Sequence, residues 1–590
     1  MLSLRPSTGY VVLNNIAAGG TLARIRIISI ENFRCIQQLT WYPGQGLNCL
    51  IGPGDSGKSS ILDAIDLCLG ARRTANLTDA DFHGLDVERP ISISVTLGEL
   101  DDGLKSLETY APYLRSFNQT NGAVADEPQA GHETVLTVNV TVAGDLDPVW
   151  SLVSGREDLR EQRRFLTWSD RARVSPNRIG ALAEHNLAWR RGSVLNKLSD
   201  ERVETSAALA KAARDARLAF GDAAEAQLGT TLQIVTQTAN ELGIATGGPL
   251  KAMLDAHSVS FSGGTIALHG EDGVPLRALG VGSTRLLLAG LQRKAAANAS
   301  VILIDELEHG LEPHRILRLL GSLGAKETQP PLQGFITTHS PVAIRELSGN
   351  QLVVVRKNGG VHTATVVGVQ NDVQGTIRSF PEAFLAPSVL VCEGATEVGL
   401  LRGLDQYSSS NGQPSLHASG VSLVDAGGVS KIYGRADAFC GLDYRVAVLR
   451  DDDEPPAANT EANFQAGGGT LFKWRAGRAL EDELFQCLPD QAVLALLAKA
   501  EEFVGAELID SQIRTFSNGT LNLASCRIAV TPQSRTVLAQ SSKVKNNSWF
   551  KSVSRAEGIG RDVVALHLNQ SEPGFVAIIS GIWGWLHSAG

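Results

Sequence analysis

Gly52-Pro53-Gly54-Asp55-Ser56-Gly57-Lys58-Ser59 follows the short apolar run Leu47 to Ile51 and leads into Lys58 to Leu69, whose apolar residues recur at helical spacing. Strand, glycine-rich loop, helix is the order that a phosphate-binding loop requires. Glycines let backbone N–H groups close around phosphate oxygens, and the helix N-terminus adds partial positive charge. The expected cofactor is ATP. Gly52, Gly54, Asp55, Ser56 and Gly57 would cradle its phosphates, with Ser60 in the first helical turn. Lys58 would reach the β- and γ-phosphates, and Ser59 would ligate Mg²⁺, for which Mn²⁺ or Ca²⁺ are substitutes. The same letters satisfy GxGxxG at Gly52, Gly54 and Gly57, but a dinucleotide reading leaves Lys58-Ser59 unexplained.

Two segments far downstream supply the partners such a loop needs. Val301 to Ile304 is an apolar strand ending in Asp305-Glu306, the Walker B pattern. Asp305 would hold the Mg²⁺ shell and Glu306 would polarise the attacking water. Thr337-Thr338-His339-Ser340-Pro341 closes the next strand, and His339 at its tip resembles the switch histidine that touches the γ-phosphate. Leu279-Gly280-Val281-Gly282-Ser283-Thr284-Arg285 then precedes a helix expected over Leu286 to Asn298. With Gly280, Gly282 and Ser283 it resembles a divergent signature loop of the ABC class, in particular its SMC-like branch. Ile30 to Arg34 resembles that branch's entry strand. In ABC proteins the signature loop reaches nucleotide on the other subunit, so the resemblance implies a homodimer through the ATPase domain. The Q-loop candidate, Asp79 to Asp86, contains no glutamine.

A second acidic constellation lies beyond Pro381 and Pro387. Val389 to Cys392 is a strand ending in Glu393-Gly394, and Glu397 follows one helical turn later. Val446 to Leu449 runs into Arg450-Asp451-Asp452-Asp453, which puts Asp451 and Asp453 on one side and Asp452 on the other. The order strand, helix (Glu397–Leu404), strand (Val421–Val424), helix (Lys431–Phe439), strand predicts a small parallel sheet. Ligands bind at the strand ends of such sheets. Carboxylates gathered there repel one another unless cations neutralise them, and oxygen-rich sites suit Mg²⁺. Two such ions can activate water and stabilise a leaving oxygen.

Glu393, the Asp451–Asp453 pair and the intervening Asp425-Ala426-Gly427-Gly428 resemble the TOPRIM pattern. An ATPase of ABC type followed by TOPRIM resembles the OLD (overcoming lysogenisation defect) nuclease family, over most of the chain from Arg24 to about Lys551. That resemblance implies metal-dependent nicking and degradation of DNA, often in phage defence, with a helicase or other defence protein as a partner. It also implies a further glutamate ligand, matched by Glu481 with Glu483 as runner-up, and a basic residue, matched by Lys551 ahead of Lys545 and Lys543. Glu393, Glu397, Asp451, Asp453 and Glu481 form the expected metal set, with Glu393, Asp451 and Lys551 the catalytic residues.

The chain of 590 residues is long enough for two or more domains. The expected fold is α/β: an ABC-type ATPase domain over 22–375 with a helical dimerisation insertion near 150–263, then a parallel TOPRIM domain over 386–590 with a helical insertion near 476–510. Residues 454–469 read as a polar loop, Ala-rich 195–242 as one or two helices, and 1–20 as a loose leader or an early start. The seven cysteines form no CxxC pair, which fits free thiols in a reducing cytoplasm better than a zinc site. No apolar run reaches the ~18–20 residues that cross a bilayer, which sets aside a transporter ATPase.

Net charge is −9, yet between Asp510 and Glu557 every charged residue is basic: Arg514, Arg527, Arg535, Lys543, Lys545, Lys551 and Arg555, with Trp549 and Phe550 beside them. That bias suggests a basic tail that contacts DNA phosphates without reading sequence. A topoisomerase would need a tyrosine nucleophile on a separate DNA-gripping domain, whereas Tyr407, Tyr433 and Tyr444 fall within the sheet region. A primase usually carries a zinc module, for which there are no ligands in pattern.

Overall fold

The computed structural model describes residues 23–155, 164–179, 276–294, 301–475 and 477–588, with short pieces at 211–212, 214–216, 219–220, 228–234 and 271. Most of the helical insertion expected near 150–263, including much of 195–242, lies outside the described residues. By contacts the chain separates into two compact units, Met1–Asn48 with Ser59–Thr337 and Cys49–Lys58 with Thr338–Gly590.

The first strands are β1 (Arg24–Phe33), β2 (Ile36–Trp41), β3 (Leu47–Ile51), β4 (Ile91–Gly98), β5 (Leu114–Phe117), β6 (Val124–Ala125), β7 (Glu133–Val142), β8 (Pro148–Leu152) and β9 (Asn177–Ile179). They are followed by β10 (Val301–Ile304), β11 (Gln333–Thr337), β12 (Leu352–Asn358), β13 (Val361–Val366), β14 (Ser388–Cys392), β15 (Val421–Asp425), β16 (Arg445–Arg450) and β17 (Thr470–Lys473).

In the first unit β1 pairs antiparallel with β2 and β4, and β4 with β7, which also carries β5 and β8. Alternation along β1 buries Ile28 and Ile30 and leaves Glu31 exposed, as a strand with one solvated face should. A parallel group, β9–β10–β11, sets Ile304 opposite both Ile179 and Ile336. The helix read from Leu286 onward in fact begins at Val281 and is described to Lys294. Gly282 in its first turn packs on the carbonyl of Gly310, where a Cβ would overlap the oxygen. Gly282 therefore has to be glycine for this close helix–loop contact.

In the second unit β3 runs parallel to β12, with Cys49 to Ile51 opposite Leu352 to Val354, and β12 turns back into β13 at Gly359-Gly360. Buried Arg356 of β12 stacks over the ring of Tyr444 at 3.7 Å, and the Tyr444 hydroxyl donates to Phe384 O at 2.6 Å. Beyond it lies an all-parallel sheet in the order β15–β14–β16–β17. β14 reads Ser-Val-Leu-Val-Cys and is buried throughout, as a parallel strand covered on both faces requires.

Three expectations need correction here. A fourth strand, β17, extends the sheet, although its four residues carry no strong alternation. The stretch 454–469 is not all loop: Thr460–Ala466 is a helix, pinned by buried Phe464 against Tyr433. From Leu480 onward the chain is helical almost to its end, rather than carrying an insertion that stops near 510.

Those C-terminal helices also change the basic tail. Arg514 pairs with Asp510, Arg527 with Glu501, Arg535 with Asp490 and Lys543 with Asp482. Arg555 donates to backbone carbonyls of Ser548, Trp549 and Phe503. Trp549 and Phe550 are buried in the core with Phe485, and Trp549 Nε1 donates to Gln512 at 2.7 Å. Acids preceding residue 511 fold back onto these cations, which a count of charge along the chain does not reveal. Lys545 and Lys551 stay exposed.

Candidate active sites

The phosphate loop belongs to the second unit. Gly52 has φ +126°, and a Cβ there would stand 2.8 Å from Val355 O of β12, so glycine is required by both backbone and space. Asp55 and Gly57 are also left-handed, and the chain curls tightly into the helix Lys58–Leu69. Lys58 Nζ folds over its own loop, donating to Pro53 O at 2.6 Å and to Gly52 O and Ser56 Oγ at 3.2 Å each. Gly54 has open space above it.

The metal-side partners lie in the first unit. Ser59 Oγ donates to Asp305 Oδ1 at 3.0 Å, and Thr337 Oγ1 donates to the same oxygen at 2.6 Å. Thr337 Oγ1 in turn accepts the backbone N–H of Glu306 at 2.8 Å. Glu306 is left-handed at φ +47° with its side chain exposed. For a non-glycine residue that conformation costs on the order of 1 kcal/mol and persists only when neighbours impose it. Buried Arg285 does so, donating to Asp305 O at 2.9 Å, Glu306 O at 2.7 Å and His309 O at 3.2 Å. Burial lowers the pKa of this guanidinium, partly offset by Glu308, Glu306 and Asp305.

Neither role has a signal in the sequence, because Arg285 acts on backbone carbonyls and Thr337 on a carboxylate 32 residues away. Of the signature residues, Gly280 O accepts Thr284 N at 3.0 Å and Ser283 Oγ accepts Arg315 at 3.1 Å. Ser60 Oγ lies 3.5 Å from Cys35 Sγ. The segment 79–86 forms two 3₁₀ turns fastened by Arg34 to Asp81. In the second unit His339 is exposed, just past the end of β11.

The carboxylate cluster is wholly within the second unit. Register places Cys392 opposite both Asp425 and Leu449, so Glu393, Ala426 and Asp451 emerge near one edge of the parallel sheet. β14 is the first strand; the chain goes to β15 on one side of it and to β16 on the other. Glu393 and Asp451 therefore flank the switch point, where a crevice opens beyond the strand ends. Gly428, at φ +118°, lets its N–H reach Glu393 O at 2.8 Å and locks the first strand end.

Three of the acids have a fixed local partner. Glu393 Oε2 accepts Asp451 N at 3.0 Å, Glu397 Oε2 accepts Gly394 N at 3.0 Å, and Asp451 Oδ1 accepts Leu480 N at 2.9 Å. Asp452 faces away, held by Arg450 at 3.1 Å and Gly477 N at 3.1 Å, as strand alternation predicts. Burial first, then repulsion from neighbouring acids, raises Glu393, Glu397 and Asp451. Asp451 is pushed up to about 8, with Glu481, Glu393 and Asp453 as the repelling charges. Glu397 is raised well above the usual range by burial and by Asp451, Glu481 and Glu393. Glu393 and Glu481 are raised too, chiefly by burial; Lys543 and Lys551 pull Glu481 back down.

Glu393, Glu397, Asp451, Asp453 and Glu481 thus act on one another electrically, and Lys543 and Lys551 both act on Glu481. Glu483, the runner-up ligand, is instead committed to Arg475 at 2.6 Å. Among the described residues no three His, Cys, Asp or Glu already stand at the spacing of one ion's ligands, one oxygen each of Glu393, Glu397 and Asp451 being turned to a backbone N–H. The donor set nevertheless fits a hard divalent cation: all oxygen, buried at Glu397 and Glu481 and half-buried at Glu393 and Asp451, and carrying a repulsion that a cation relieves.

Comparison with known proteins bears on both sites. A family model for an AAA domain, AAA_21, whose description also names an AbiEii toxin and a type IV TA system, matches residues 47–345. A second, the TOPRIM domain of overcoming-lysogenization-defect-like proteins, matches residues 384–453 and so takes in Glu393, Glu397, Asp451 and Asp453. The chain belongs to the OLD family of ATPase–TOPRIM proteins. Its fold is mixed α/β, with an N-terminal ATPase domain and a C-terminal TOPRIM parallel sheet.

Curated relatives match this OLD-family chain only in part. The DNA replication and repair protein RecF of Chlorobium luteolum is 44% identical over 112 residues, 17% of this chain and 30% of that protein. RecF of Proteus mirabilis is 27% identical over 201 residues, 31% and 54% respectively. The chain thus spans about half or less of the length of the curated relatives it matches. Among solved structures, an SMC head bound to the C-winged helix domain of ScpA is 17% identical with a TM-score of 0.31, covering 58% of this chain and 97% of that one. No helix among the described residues is long and apolar enough to cross a membrane.

Proposed function

We propose that this chain is an ATP-binding and ATP-hydrolysing, divalent-metal-dependent DNA endonuclease. The ATPase domain spans about 22–375, dimerises through its insertion and acts on nucleotide. The TOPRIM domain spans about 386–590 and nicks and degrades DNA, in phage defence or repair in the cytoplasm, with a helicase or other defence protein as partner. One observation carries the cutting role: Glu393 and Asp451 at adjacent strand ends, raised together with Glu397 by burial and repulsion, beside a Glu481 raised by burial. An acid cluster of that kind costs folding free energy and suits a site built to hold cations.

At the TOPRIM end, a pair of bound divalent ions would supply Lewis acidity and a nucleophilic water at the scissile phosphate. Glu393 and Asp451 would be the central ligands, with Glu397, Asp453 and Glu481 completing the shell. Lys551 would face the charge that develops on phosphate oxygens. At the ATPase end, Gly52 to Ser60 would cradle the triphosphate, Ser59 and Asp305 would hold Mg²⁺, and Glu306 and His339 would serve the attacking water and the γ-phosphate. Gly280, Gly282 and Ser283 would close on nucleotide bound by the partner subunit.

The test is a plasmid-nicking assay with Mg²⁺, with and without ATP. Glu393→Ala and Asp451→Ala should abolish nicking; persistent nicking in a clean preparation of either variant refutes the assignment. RecF likeness motivates a second reading, a repair ATPase whose TOPRIM domain binds nucleic acid without cutting. ATP turnover that is lost in Lys58→Ala, together with no cleavage of supercoiled, linear or single-stranded substrates, would select it.

A further inference from the structure

Arg178 sits near the C-terminal end of β9, opposite Leu303 of parallel β10. Its Nη2 lies 3.5 Å from Asp305 Oδ2, while Oδ1 of that carboxylate takes Ser59 and Thr337. Its Nη1 is hydrogen-bonded to Asp63 Oδ1, on the helix that leaves the phosphate loop. Asp63 is itself held on its other oxygen by Arg34, and Arg34 Nε is fixed to Asp81 at 2.9 Å. A chain of charges thus steadies one guanidinium beside the carboxylate expected to carry the Mg²⁺ shell.

Stability does not account for this arrangement. The Arg178 and Asp305 side chains are 33% and 25% exposed. Ion pairs with that much solvent contribute little to stability. Placement does suggest a use, because a parallel strand's C-terminal end is the ligand edge of an α/β sheet. Guanidinium is the side chain whose planar fork fits phosphate oxygens in pairs. Its present partner is also one it must give up: a divalent ion at Ser59 and Asp305 would repel the guanidinium, while a γ-phosphate would attract it.

We propose that Arg178 is the residue by which the ATPase domain distinguishes ATP from ADP. Without nucleotide it is parked on Asp63 and Asp305; with Mg²⁺–ATP it turns to the γ-phosphate oxygens. This rests on the nucleotide-site reading above and adds to it a specific γ-phosphate contact.

The experiment is calorimetric titration of the full chain with Mg²⁺–AMP-PNP and Mg²⁺–ADP, on wild type, Arg178→Ala, Arg178→Lys, Arg34→Ala and Lys58→Ala. Arg178→Ala should weaken AMP-PNP binding by about ten-fold or more while ADP stays within about two-fold, the size of a lost charged hydrogen bond. Arg178→Lys should recover part of that loss. Arg34→Ala disturbs the same charge chain without removing the phosphate contact, so its AMP-PNP to ADP ratio should match wild type. Equal weakening of both nucleotides in Arg178→Ala, or no weakening, overturns the proposal while leaving the nucleotide site intact. Wild type that binds neither nucleotide overturns the nucleotide site itself, and this inference with it.

Discussion

The backbone N–H of Asp451 donates to Oε2 of Glu393 at 3.0 Å, across the two strands that flank the switch point of the parallel sheet. One carboxylate is thereby aimed by the backbone of the other acid's residue, and the two are held side by side despite their repulsion. Such a contact keeps the pair assembled before any cation arrives.

Proton and metal must then compete for the same oxygens. With Asp451 pushed up to about 8, and Glu397 also raised, the metal-free protein gains its full stability below the ordinary carboxylate range. That stability is lost as pH rises through the folded-state values. Melting temperature without metal should fall between about pH 4 and 8, and added Mg²⁺ should restore it most at the upper end. Calorimetric Mg²⁺ affinity should rise over the same interval. A profile that is flat in pH would contradict a shared carboxylate site.

Asp451→Asn removes one repelling charge yet keeps an oxygen to accept Leu480 N. At about pH 8 it should raise metal-free stability by about 1–3 kcal/mol and abolish stabilisation by Mg²⁺. Denaturant melts with and without the ion measure both effects together.

Arg285→Met should release the carbonyls of Asp305, Glu306 and His309 from their buried donor. The expected cost is about 2–4 kcal/mol of stability, with ATP turnover falling more than ATP affinity as Glu306 relaxes from its left-handed backbone. Parallel loss of affinity and turnover would point instead to general unfolding of the loop.

The two lysines near Glu481 should separate cleanly. Lys543 holds Asp482 at 2.6 Å, whereas Lys551 is exposed. Lys543→Ala should lower melting temperature by a few degrees. Lys551→Ala should leave it unchanged and reduce only cleavage. Thermal melts beside nicking rates distinguish them, and a reversed pattern would exchange their roles.

Much of this was legible in short stretches. The phosphate loop, Asp305-Glu306, Glu393 with Glu397, and the outward turn of Asp452 each depend on chemistry within a few residues, where spacing sets direction. The basic tail misled because its partners Glu501, Asp490 and Asp482 precede it and reach it only after the helices pack. β17 and the helix 460–466 escaped notice because burial of Phe464 and pairing with β16, rather than local periodicity, define them.

The chain alone therefore determined that a phosphate loop and two acidic strand ends exist, since a motif is written in consecutive residues. Only the tertiary structure decided that Arg178 faces Asp305, that Arg285 braces Glu306, and that Glu393 and Asp451 meet. Those pairings join residues 21 to 127 positions apart. Strand register and core packing set such distances, and neither is encoded in any single short segment.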